Sequence, residues 1–114
     1  MSTKIRVVHY LNQFFAQIGG EDKGDIGPGV MEGPIGPGRA LQQALGDAGE
    51  VAATIYCGDN YFAERQEKVI KELIGYIAEF KADLLIAGPA FESGRYGVAC
   101  GAIARAAQQQ LGIA

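Results

Sequence analysis

Three short apolar runs, residues 5–10, 51–56 and 84–87, alternate with longer stretches of helical period, and this alternation leaves few folds open to the chain. The runs hold several β-branched residues and read as buried parallel strands. Between the second and third, Val69, Ile70, Leu73, Ile74, Ile77 and Phe80 recur at spacings of three and four, which predicts a helix over residues 63–81 with one buried stripe. A shorter helix is expected over residues 39–45, closed by Gly46, and a last one over residues 95–111, closed by Gly112. Ala99, Ala102, Ile103 and Ala106 share one side of that last helix, where small side chains let it lie close to a sheet. The order β-α-β-α-β-α implies a single three-layer α/β domain over residues 1–114, flavodoxin-like or Rossmann-like, with a parallel sheet of about three strands. The alternation also calls for another strand after the last helix, where the sequence reads Gly112-Ile113-Ala114. A sheet this small leaves open edges, so an oligomer, or cover by another segment or chain, is expected.

The first connection is unusual. Residues 19–38, GGEDKGDIGPGVMEGPIGPG, carry three of the four prolines and show neither helical nor strand period. Connections of such length in small domains are functional or disordered. This one follows the first strand, and in parallel sheets ligands bind beyond the carboxyl ends of the strands, so a functional loop is expected. Glycine does not recur at every third position, which sets collagen aside.

The chain has 114 residues and a formal net charge of -3, with its basic residues scattered, which argues against a nucleic-acid partner. No apolar stretch reaches bilayer length and the amino terminus lacks the apolar core of a secretory signal, so a cytoplasmic location and no membrane partner are expected. Two cysteines and one histidine are too few for a disulfide scaffold or a zinc site. Neither a metal nor a cofactor is expected in this chain.

Three loops should gather at the carboxyl edge of the sheet. The first brings His9 and Asn12, the second Cys57, Asp59 and Asn60, the third Glu92, Ser93 and Arg95. These eight residues are the candidate substrate-binding set. Cys57, at a strand end near a helix start, is a candidate nucleophile whose thiolate the helix dipole would favour; the alternative is a small buried residue filling the sheet edge. By the first reading Cys57 should alkylate much faster than Cys100, which lies mid-helix among small residues. His9 suits a general base or a donor to a substrate carboxylate, or else a hydrogen-bonded structural role. Asp59 and Asn60 suit a turn and a cap for a helix beginning near Tyr61 or Phe62. Arg95, flanked by Gly94 and Gly97 at a helix start, fits an anion site or a plain tight turn. No G-x-G-x-x-G follows a strand, which weakens a nucleotide-binding reading.

Four stretches in order, RVVHYLNQFFAQIGGE, EGPIGPGRALQQ, CGDNYF and AGPAFESGRYGVACGA, resemble the amino-terminal part of the selenoprotein B subunit of glycine, sarcosine and betaine reductases. The resemblance implies a domain of a longer oxidoreductase subunit that binds a small amino-acid substrate alongside other reductase subunits. In that family a selenocysteine, in a later part of the subunit, helps cleave the carbon–nitrogen bond. The sequence here contains none, so catalysis by this chain alone is not implied, and no loop residue is carried over as the family's catalytic group. The alternative function is a non-catalytic structural or assembly protein that oligomerises through its open sheet edge.

Overall fold

A computed structural model describes residues 4–90 and 94–114. Strand β1 (Ile5–Asn12) lies inside the sheet, and Val7, Val8, Tyr10 and Leu11 are fully buried because both its faces are covered. Strand β3 (Gly49–Cys57) pairs with it in parallel from Ile5 opposite Gly49 to Asn12 opposite Cys57. Ala52 is the extra residue of a bulge, since Val7 faces Val51 while Val8 faces Ala53. Strand β4 (Leu84–Ala87) pairs in parallel along the other side of β1. These are the three strands expected, except that β1 runs on to Asn12 and β3 extends from Gly49 to Cys57.

The sheet has a fourth strand, and the expectation of an all-parallel sheet of about three is corrected. Strand β2 (Gly29–Glu32) forms inside the Gly/Pro segment and runs antiparallel along β3, giving the order β2-β3-β1-β4. Four residues suffice because β3 supplies the template, and Val30 packs against the core. The Gly33 amide bonds the Ala52 carbonyl at 3.0 Å and its carbonyl accepts from the Thr54 hydroxyl at 2.8 Å, which fastens the strand's end.

Helices cover both faces. Val8 and Tyr10 of β1 point to one side, where they meet Ala53, Ile55 and Leu85 of the sheet and the helices α2 (Asp59–Glu64), α3 (Gln66–Glu79) and α4 (Gly94–Leu111). From α3 the stripe Val69, Leu73 and Ile77 is buried, and from α4 Ala99, Ile103 and Ala107. Helix α1 (Gly38–Leu45) lies on the opposite face, with Gly38 against the His9 ring. The helix expected over residues 63–81 is two helices, because Arg65 leaves helical geometry at φ -134°, ψ 42°. Among the described residues no helix is long and apolar enough to cross a membrane.

The amino end of the sheet is closed by Arg6. Its guanidinium bonds the Glu50 carboxylate at 2.8 Å and the Phe80 carbonyl at 2.9 Å, and its backbone exchanges two 2.8 Å bonds with Asp83. The carboxyl end is where polar side chains converge.

Candidate functional site

At the end of β1 the chain turns sharply. The Asn12 side-chain oxygen accepts from the Phe15 amide at 3.0 Å, and its backbone oxygen from Ala16 at 2.9 Å. The Asn12 side-chain nitrogen donates to Asp59 at 3.0 Å, so one buried amide joins the first loop to the start of α2. Gln13, 4% exposed, makes a second tie: its oxygen accepts the Asp59 amide at 3.1 Å and its nitrogen donates to the Gly20 carbonyl at 3.3 Å.

The Gly/Pro segment completes this arrangement. The Gly24 carbonyl accepts from the amides of Asn60 (2.8 Å) and Tyr61 (3.1 Å), and the Ile26 carbonyl accepts from Gly58 (3.0 Å). The first amides of α2, which a helix leaves without internal partners, are thus satisfied by Gln13 and Gly24. Asp59 and Asn60 are the first two residues of α2, and Gly58 is its cap without a side-chain cap bond, which corrects the expected capping role. Gly58 is required by packing: a Cβ there would run into the Gly24 carbonyl, with the Ile26 nitrogen 2.9 Å away.

Cys57 lies beneath this cover. It is fully buried, with its sulfur 3.8 Å from the Ile26 carbonyl, and burial together with the Asp59 carboxylate pushes its thiol up to about 12. Cys100 is buried as well and pushed up to about 11, again by burial first. Of the two readings of Cys57, burial supports the small residue that fills the sheet edge, and the accessibility on which faster alkylation of Cys57 than of Cys100 depended is absent. Desolvation of the thiolate outweighs the nearby helix start, and Cys57 is the small buried residue that fills the sheet edge.

His9 is 2% exposed and its Nε2 donates to the Gly88 carbonyl at 2.6 Å, an assignment that follows because a carbonyl only accepts. Its Nδ1 is buried without a hydrogen-bond partner, 3.0 Å from where a Cβ on Gly38 would sit. Burial lowers the His9 pKa and the Gly88 carbonyl opposes that only in part, so the neutral ring is favoured. The histidine ties the end of β1 to the loop after β4.

That loop leads to Arg95, an exposed residue in the first turn of α4 whose guanidinium donates to the Asn60 side-chain oxygen. Two side-chain bonds thus converge on the start of α2, from Asn12 to Asp59 and from Arg95 to the neighbouring Asn60. His9 and Cys57 lie at the same sheet edge but face inward. Glu92 and Ser93 lie outside the described residues.

Sequence reasoning missed Gln13, and it placed Tyr10 in the first loop and Tyr96 in the third without giving either a role. Tyr10 and Tyr96 are buried with ring centroids 6.3 Å apart, and the Tyr96 ring lies 5.7 Å from that of Phe15. Burial raises both phenols well above their usual range. A glutamine directly after Asn12 and before two phenylalanines was the available signal for Gln13. No cluster of three His, Cys, Asp or Glu side chains that could hold a metal ion occurs among the described residues.

Comparison with known proteins covers almost the entire chain. The family model described as glycine/sarcosine/betaine reductase selenoprotein B matches residues 4–114. The glycine reductase complex component B subunit gamma of Carboxydothermus hydrogenoformans is 56% identical over 110 residues, 96% of this chain and 25% of that protein. In Peptoclostridium acidaminophilum, the sarcosine reductase complex component B subunit beta is 53% identical over 110 residues, with the same shares of the two chains. The betaine reductase complex component B subunit beta of that organism is 39% identical over 108 residues, 95% of this chain and 24% of that protein. The chain therefore spans about a quarter of the length of the curated relatives it matches. No solved structure matches it. With the family model covering nearly every residue and relatives more than half identical, the chain belongs to the glycine/sarcosine/betaine reductase selenoprotein B family.

Proposed function

We propose that this chain is the substrate-facing domain of a reductase B component, with a flavodoxin-like arrangement whose strand ends hold a small amino acid by its carboxylate. The observation that carries the reading is Arg95: an exposed guanidinium in the first turn of α4, tethered to Asn60 at the start of α2. A guanidinium has five N–H donors, and the bond to Asn60 leaves others to engage a carboxylate in a fork. Asn60 orients Arg95, while Asn12 and Gln13 hold Asp59 beside it from below. His9 positions the Gly88 carbonyl and so the loop that leads to Arg95. Glu92 and Ser93, in that loop, complete the proposed set.

The bond-breaking step is not assigned to this chain. Its two thiols are buried with raised pKa values, which deprives it of a reactive sulfur nucleophile. The domain binds and orients, in partnership with the remainder of the B component and the other reductase subunits in the cytoplasm. Titration of glycine, sarcosine and betaine into isotope-labelled protein, followed by NMR, tests this. The amide signals of Asn60, Gly88 and Arg95 should shift, and Arg95→Gln should abolish the shifts without altering the rest of the spectrum. Unchanged spectra for all three ligands, with partner subunits present, would refute it.

A further inference from the structure

Strand β4 is an edge of the sheet, and its inner side is hydrogen-bonded to β1, as in the 3.1 Å bond from the Gly88 amide to the Tyr10 carbonyl. Its outer side already holds one partner. The Leu85 amide donates to the Ala114 carbonyl at 2.9 Å. Alternation along a strand means that the Leu85 and Ala87 backbone groups face outward while those of Ile86 and Gly88 face β1. Helix α4 carries the chain back from the carboxyl end of β4 to its amino end, so a segment leaving Ala114 along β4 runs parallel to it.

We propose that the outer edge of β4 is a strand-addition site. Its occupant is the polypeptide directly beyond Ala114 in full-length subunits of this family, entering as a fifth, parallel strand. The curated relatives are about four times as long as the matched region, and we place on this edge the segment that follows the position of Ala114 in them. The Ala114 bond sets the register. In a parallel ladder the residue two positions after Ala114 donates its amide to the Leu85 carbonyl and accepts at its own carbonyl from the Ala87 amide. The side chains agree: Leu84, Ile86 and Ala87 are only half-buried, so apolar surface on β4 remains to be covered. An open parallel edge of this kind invites pairing, and filling it from the same chain removes the hazard of edge-to-edge association.

Amide hydrogen exchange on the 114-residue chain, and on a chimera joining it to the remainder of the Carboxydothermus hydrogenoformans subunit, tests the proposal. Ile86 faces β1 and reports folding in both. Ala87 should exchange quickly in the short chain and at least ~10-fold more slowly in the chimera, in line with a newly formed ladder bond. If Ala87 exchanges equally fast in both while Ile86 stays protected, the edge is not filled and the proposal fails. Protection of Ala87 that grows with the concentration of the short chain would make the occupant a second copy, which also overturns it. Should Ile86 show that the chimera does not fold, the positions aligned with Leu85 and Ala87 in the intact Carboxydothermus subunit are read instead, and fast exchange there refutes the strand. This outcome is independent of Arg95 and substrate.

Discussion

Replacing Gln13 with alanine should loosen the whole carboxyl edge of the sheet. The side chain makes two hydrogen bonds, to the Asp59 amide and to the Gly20 carbonyl, and so joins two segments far apart in the fold's connectivity. Each such bond contributes ~1 kcal/mol net. The sum is about 2 kcal/mol, which for a domain of this size lowers Tm by roughly 8 °C. Thermal unfolding followed by circular dichroism measures the loss. Exchange at the Asp59, Asn60 and Tyr61 amides locates it, since these three should accelerate well before the α3 amides do. Gln109→Ala, on an exposed position of α4, serves as control and should stay within ~0.5 kcal/mol of the parent. A Gln13→Ala protein with unchanged Tm and unchanged exchange at Asp59 would show that the amide tie between the first and second loops carries no weight.

Both cysteines should resist alkylation in the folded chain: at pH 8 a thiol at about 12 is thiolate in ~1 molecule in 10,000 and one at about 11 in ~1 in 1,000, far below a free cysteine. Mass-spectrometric mapping of iodoacetamide adducts that found either residue labelled at the rate of an unfolded control would contradict their burial. The depressed pKa of His9 means the unfolded chain binds a proton more readily than the folded one, so this residue's contribution is intact above about pH 6.5 and is lost as pH falls towards the folded pKa. Tm measured between pH 7 and pH 5 should therefore fall further for the parent than for His9→Gln, which does not titrate there; equal slopes would rule out a buried neutral ring. Gly75 lies mid-α3 with open space where a Cβ would sit, so Gly75→Ala should stabilise by ~0.5–1 kcal/mol, whereas Gly58→Ala meets the Gly24 backbone and should destabilise strongly in the same denaturant titration.

The strands and helices were legible because each carries its signal locally. The β-branched runs around Val7 and Val51, the apolar run from Leu84 and the stripe from Val69 to Ile77 need no knowledge of partners, and the structure places all of them as expected. Strand β2 has no such signal. Gly29, Val30, Met31 and Glu32 sit among glycines and prolines, too few for a period of two to show, and they become a strand only because the edge of β3 is there to pair with. The break at Arg65 was hidden for the opposite reason: the charged stretch around it is compatible with an unbroken helix, and only the backbone angles separate α2 from α3.

The candidate site divides along the same line. That His9, Asn12, Cys57, Asp59, Asn60 and Arg95 come to one edge follows from strand order alone, and the structure brings them there. What each does at that edge depends on which groups lose water, and this is decided by the Gly/Pro segment. Read as an open binding loop, it leaves Cys57 at the rim of a pocket, where a helix start would favour the thiolate. Folded back so that Gly24 and Ile26 bond α2 and Gly58, it seals the end of β3 and puts the same sulfur in a medium that disfavours charge. Desolvation is the largest influence on the Cys57 thiol and the Asp59 carboxylate adds to it, while the Gly58 amide favours the thiolate only in part, so burial wins. The charged group left in solvent at this edge is instead the Arg95 guanidinium at the start of α4, which is why the proposed carboxylate contact is assigned there.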